Sequence, residues 1–263
     1  MKDVYKLHVA KEGSGPPVIL IHGGISTHRY WQDVASALGG RRTLFMPDML
    51  GFGKSPKPRA AAYTLEQYID CLQHTFKNEQ FTQSPVLVGH SFGALVALRW
   101  AVLEPKRFAG LVLSAPIMFQ QDKAHQQLAS IALNDKEITS KTYGRLVTAG
   151  MQFGGWVPTR LAVRIIKSKP RHVIEDATSY RRYVFRRLIK NKHFVEHALD
   201  DLRQVTVPTK IALGPNDMTN RHALDDIKRI CKANKQCQLE ILGMGHNIPL
   251  EKPEVLAKTI LSI

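Results

Sequence analysis

Cysteine is scarce in this chain. There are three in 263 residues, Cys71, Cys231 and Cys237. No C-x-x-C spacing occurs among them, which argues against a disulfide framework and against a zinc site, and points to reduced thiols in a cytoplasmic protein. Long apolar runs are missing as well. The most apolar stretches, such as Val18–Ile21 and Val86–Val88, are far too short to span a bilayer. The opening MKDVYKLHVAKEGSGPP holds no apolar core of a signal peptide. Acidic residues are in short supply, with 22 Asp and Glu against 37 Lys and Arg, a formal net charge of +15. That balance raises nucleic acid, an anionic membrane surface or an acidic substrate as partners, and is silent about fold. Repeats, low-complexity tracts and flexible linkers are absent too. What is present is ordinary: 44% apolar and 22% charged residues, the composition of a globular chain with a substantial core.

The first half alternates between short apolar runs and helical spacing. Val4–Ala10, Val18–His22, Thr43–Pro47, Val86–Gly89 and Leu111–Ser114 read as strands. Trp31–Leu38, Leu65–Phe76 and Ala94–Leu103 read as helices. Apolar strands separated by helices imply crossover units and a parallel sheet covered on both faces. After Pro116 the alternation stops, and residues 117–205 read as helical segments broken by glycine and proline. Alternation returns with Lys210–Leu213, Leu224–Cys231, Leu239–Leu242 and Glu254–Ile263. The expected organisation is an α/β core of residues 1–116 and 206–263 interrupted by a helical insertion, 117–205.

Gly89-His90-Ser91-Phe92-Gly93 is a G-x-S-x-G that follows one strand and opens a helix, the context a strand–turn–helix nucleophile requires. Its glycines leave room where side chains two residues from Ser91 would collide. A serine hydroxyl needs a base held by an acid. His246, in Gly243-Met244-Gly245-His246-Asn247, follows the last strand, and Asp217 follows the strand Lys210–Leu213. All three stand at carboxyl ends of strands, where sites form on open α/β sheets. Asp122 is the weaker candidate for the acid, and His22 and His90 read as structural supports. An oxyanion needs two donors: the Phe92 amide, and one from His22-Gly23-Gly24, assigned to Gly24. Asp48-Met49-Leu50-Gly51-Phe52-Gly53-Lys54-Ser55 reads as a tight turn whose amides Asp48 and Ser55 satisfy.

These pieces, in this order, resemble the α/β-hydrolase superfamily in its capped form. The resemblance covers essentially the whole chain. It implies a mostly parallel, doubly wound sheet of about seven strands, a helical cap after the family's sixth strand, and a Ser–His–Asp hydrolase without metal or cofactor. The family's usual first strand has no counterpart before Val4–Ala10. Relatives with an Asp nucleophile are set aside by Ser91. C–C bond hydrolases usually carry a longer Gly/Pro-rich oxyanion loop than His22–Ser26, and proline-iminopeptidase-like relatives carry a proline there. Hydrolysis of a carboxylic ester, lactones included, is the leading expectation. A cofactor-free haloperoxidase or perhydrolase, and a non-enzymatic ligand-binding protein of this fold, are the alternatives.

The insertion is expected to cover the site. Met118, Phe153 and Trp156 are its candidate substrate-binding residues, and a small-molecule ester or lactone is the expected partner. The charge concentrates there. Residues 160–192 hold eleven basic residues against Glu175 and Asp176, which is +9 of the total +15. Tyr180–Asn191 reads as an amphipathic helix with Tyr180, Val184 and Leu188 on one face. A solvated cap face, contact with an anionic substrate or membrane surface, and contact with nucleic acid are all open readings. No RNA- or DNA-binding motif accompanies the basic residues, so nucleic acid is the least favoured.

Overall fold

The computed structural model describes residues 3–118, 170–191, 197–215, 217, 220, 223–242 and 245–263. Elements are numbered over these residues. A seven-stranded sheet forms from β1 (Val9–Glu12), β2 (Pro17–Ile21), β3 (Thr43–Pro47), β4 (Val86–His90), β5 (Gly110–Ser114), β6 (Thr209–Leu213) and β7 (Cys237–Ile241). The spatial order is β1-β3-β2-β4-β5-β6-β7. Only β1 runs antiparallel, against β3, and the remaining pairs are parallel.

Interior parallel strands are covered on both faces, which is why they are continuous apolar runs. All five residues of β2 and all five of β4 are buried. Alternate side chains serve opposite layers. Ile19, Ile21 and Leu87 join the core under α2 (Leu65–Thr75) and α3 (Phe92–Leu103). Val18, Leu20 and Val88 join the core with Trp31, Val34 and Leu38 of the segment leading through α1 (Gln32–Leu38), and with Leu256 and Ile260. Thr64 caps α2, accepting from the Gln67 amide at 3.2 Å.

The first strand differs from the sequence expectation. Val4–Ala10 alternates like a strand, but β1 begins at Val9. The amides upstream are taken by side chains instead: Tyr5 by Cys71 Sγ (3.3 Å), Leu7 by Thr75 Oγ1 (2.9 Å) and His8 by Ser55 Oγ (2.9 Å). With those donors satisfied, the chain needs no sheet partner there.

Between β5 and β6 the described residues form α4 (Arg171–Ser179), α5 (Arg182–Lys190) and α6 (Ala198–Gln204). The helix expected over 180–191 is shorter, because Tyr180 and Arg181 are extended. The chain then closes with α7 (Leu224–Ala233), α8 (Ile248–Glu251) and α9 (Pro253–Leu261). Both α4 and α5 are seated on loops at the carboxyl edge of the sheet. Asp176 accepts from Thr27 Oγ1 at 2.6 Å and pairs with Arg29, which also reaches Glu175 at 2.8 Å. Tyr183 Oη donates to the Lys57 carbonyl, and Arg187 donates to the Arg59 and Ala61 carbonyls. Among the described residues no helix is long and apolar enough to cross a membrane.

Candidate active site

Ser91 sits between β4 and α3 with φ 55° and ψ −119°. This is positive-φ backbone that a serine adopts only when its surroundings impose it. The flanking glycines show what imposes it. A Cβ on Gly89 would lie 2.5 Å from Ala94 Cα, and one on Gly93 would lie 2.9 Å from the His22 carbonyl carbon. Any side chain at either position would push the helix off the strand.

His246 Nε2 lies 2.9 Å from Ser91 Oγ, and its Nδ1 lies 3.0 Å from Asp217 Oδ2. An ionised carboxylate only accepts, so Nδ1 carries the proton and Nε2 faces the serine hydroxyl with its lone pair. The three side chains come from the ends of β4, β6 and β7 and form one hydrogen-bonded line. The Asp217 side chain is fully buried, while that of His246 is 26% exposed and Ser91 is buried.

Neighbouring groups hold this line. The Tyr30 hydroxyl lies 3.0 Å from His90 Nε2 and 3.1 Å from the Asn247 side-chain oxygen, so one hydroxyl joins the residue before Ser91 to the residue after His246. The Tyr30 ring stacks on His90 at 4.9 Å. Glu251 accepts from the Gly245 amide at 3.0 Å. Burial drives the pKa of His90 well below the usual imidazole value, with the nearby His246 adding to the effect. His22 is also buried and shifted down by desolvation; its Nε2 accepts from the Met49 amide at 3.0 Å and its Nδ1 faces the Gly23 carbonyl at 2.7 Å. Both imidazoles therefore brace turns, as their sequence context suggests.

Gly24 follows β2, and the following Ile25 has φ 59°. Among the described residues a Cβ at Gly24 would meet only Leu188 Cδ2, 3.6 Å away, so α5 lies directly over this loop. The sequence places Leu188 on one face of a helix and gives it no link to the site. Met118 is fully buried, with its amide donated to Asn220 Oδ1 at 3.2 Å. Phe153 and Trp156 lie outside the described residues. Asn220, Tyr30 and Asp176 carry no local pattern that marks them: apart from Asp217, three residues before Asn220, the partners named for them are 60 to 217 residues away.

The Asp48 turn is saturated. Its Oδ1 accepts from the His28 amide (2.7 Å) and stands 2.9 Å from His28 Nδ1, and Oδ2 accepts from the Lys54 amide (2.8 Å). Burial alone would raise its pKa; the hydrogen bonds from His28 and Lys54 reverse that and hold it at about 2. His8, His28 and Asp48 bring three ligand-type atoms within 4.8 Å, but Asp48 already spends its oxygens on the turn. A surface cleft of about 660 Å³ between α6 and α7, lined by Arg203, Asp226, Arg229 and Asn234 among others, lies at the amino ends of β6 and β7, away from Ser91.

Comparisons with known proteins agree with this architecture. Over 110 residues the chain is 34% identical to a cis-3-alkyl-4-alkyloxetan-2-one decarboxylase of Shewanella oneidensis, a match covering 41% of this chain and 35% of that protein. Over 210 residues it is 29% identical to a 2-hydroxy-6-oxo-6-(2'-aminophenyl)hexa-2,4-dienoic acid hydrolase of Metapseudomonas resinovorans, covering 78% and 69% of the two chains. The first of these matches thus spans about a third of its relative. A thermophilic esterase from Thermogutta terrifontis superposes with a TM-score of 0.71 at 20% identity, covering 97% of this chain and 92% of that one. With a family model matched across residues 18–259, and a fold to go with it, the chain belongs to the alpha/beta hydrolase family.

Proposed function

We propose that the chain is a serine hydrolase of carboxylic esters, lactones included, and that Ser91, His246 and Asp217 are its catalytic residues. The observation that carries this is the hydrogen-bonded line itself, with His246 2.9 Å from Ser91 Oγ and 3.0 Å from Asp217. In this reading Ser91 Oγ attacks the ester carbonyl carbon while His246 Nε2 takes its proton. Asp217 keeps the imidazole in the right tautomer and stabilises the imidazolium. The amides of Gly24 and Phe92 receive the oxyanion. His246 then protonates the departing alkoxide, and later removes a proton from the water that releases the acid. No metal or cofactor is assigned a step. Residues 117–205 act as the cap over this site, and the seating of α5 on the Gly24 loop supports that assignment.

The same machinery serves a second reaction. The Metapseudomonas relative is named for a dienoic acid bearing a 6-oxo group, and hydrolysis at such a ketone breaks a carbon–carbon bond. The short His22–Ser26 loop favours the ester reading. A panel of short and long p-nitrophenyl esters, lactones and a vinylogous 2-hydroxy-6-oxo-dienoic acid separates the two. Ester or lactone turnover that vanishes in Ser91→Ala is the expected result. Turnover of the dienoic acid alone would replace the ester reading, and turnover surviving in Ser91→Ala would remove both.

A further inference from the structure

Asn220 is a buried amide placed against the acid of the proposed triad. A buried amide is costly unless both its ends are bonded. Its Oδ1 accepts from the Met118 amide at 3.2 Å. A backbone N–H can only donate, so that contact fixes which end of the amide is oxygen. The other end, Nδ2, is thereby turned to Asp217 Oδ2 at 3.1 Å. The same oxygen accepts from His246 Nδ1 at 3.0 Å. Asp217 Oδ2 is therefore shared by two donors, one on the base and one on an amide anchored just beyond β5, where the chain leaves the sheet.

We propose that Asn220 is a positioning residue: it pins Asp217 Oδ2 against His246 and, by sharing that oxygen, limits how strongly the carboxylate draws the imidazole proton. The proposal rests on the Ser91–His246–Asp217 reading for its catalytic meaning. Physically, a carboxylate that loses a donor holds a nearby cation more tightly, so removing the Asn220 amide raises the pH at which His246 titrates. It also frees the carboxylate to rotate, which slows chemistry more than it weakens substrate binding.

The test follows the His246 imidazole by NMR across pH, its resonances assigned by their loss in His246→Gln. Asn220→Ala removes the donor. Asn220→Asp keeps the size and an acceptor for the Met118 amide while replacing the donor with a second carboxylate, and serves if the alanine variant folds poorly. The expected result is an upward shift of about half a pH unit in Asn220→Ala and more in Asn220→Asp. With a p-nitrophenyl ester, kcat should fall about tenfold in Asn220→Ala while KM stays within about twofold. A His246 titration that stays put or moves down in both variants overturns the proposal. Labelling of Ser91 by a fluorophosphonate probe in the unaltered protein is read alongside. Missing label with a shifted titration would sink the hydrolase reading and leave Asn220 its place; normal label with an unmoved titration would sink Asn220 alone.

Discussion

Gly93 faces backbone rather than a yielding side chain. A methyl there meets the carbonyl of His22 at the end of β2, with the carbonyl carbon 2.9 Å away. Gly93→Ala should destabilise the fold by about 1–3 kcal/mol, seen as a lower urea midpoint. The buried imidazoles add a pH effect of fixed sign. His22 and His90 are held below their usual value of 6.5 by burial, so below that pH the unfolded chain binds protons that the folded chain refuses. Stability should be full above pH 6.5 and decline as pH falls through the window beneath it. Urea unfolding at pH 7.5 and 5.5 checks this, and His90→Gln should flatten the slope. Asp48 contributes in a lower window. Its depressed pKa of about 2, against a usual 3.8, supplies stability that is present above pH 3.8 and lost as pH drops toward 2. At this scale the sequence was most informative where chemistry is local. Ser91 is marked as a candidate by its glycines, and Asp217 and His246 by standing just after strands, and the structure brings the three into one hydrogen-bonded line. Tyr30 and Asp176 stayed hidden because their partners are ones that only the fold brings near, and Asn220 because its orientation is set by the distant Met118 amide.

The helices between β5 and β6 are tied to the sheet domain by polar contacts as well as by packing. Asp176 is buried and accepts from Thr27 while pairing with Arg29. Its loss takes the acceptor from the Thr27 hydroxyl and one of two carboxylates from Arg29, which keeps Glu175, an effect of about 1–3 kcal/mol. Asp176→Ala should lower the melting temperature and speed hydrogen exchange of the α4 amides ahead of those in α3. Strands β2 to β6 were legible because each is mostly buried and apolar, and β7 was legible only in part, from Leu239 on, because it sits at the sheet's edge and carries Gln238 and Glu240. Alternation misled at Val4–Ala10, since Val4, Leu7 and Val9 alternate in the sequence while Tyr5, Leu7 and His8 give their amides to Cys71, Thr75 and Ser55. The basic helix was legible as amphipathic, but charge alone did not reveal that Arg187 is spent on the Arg59 and Ala61 carbonyls.

Across the whole molecule, +15 of net charge means that the folded chain repels itself. Arg181 and Arg186 are exposed, and the ion pairs Arg29–Glu175 and Arg171–Glu175 both rely on one glutamate. Screening should relieve more repulsion than attraction, so the melting temperature should rise between about 10 mM and 300 mM sodium chloride. A fall would mean that the ion pairs outweigh the repulsion. The register of the sheet has a different kind of consequence. Leu111 to Ser114 of β5 pair with Thr209 to Ala212 of β6, so the sheet cannot grow past β5 until a loop of about 95 residues has closed, an entropic toll that rises only slowly with length but comes before any contact rewards it. Synthesis supplies the Ser91 turn with its flanking strands β2, β4 and β5 first, and Asp217 and His246 only with β6 and β7. In the proposed triad the serine therefore has neither base nor acid until the last two strands arrive.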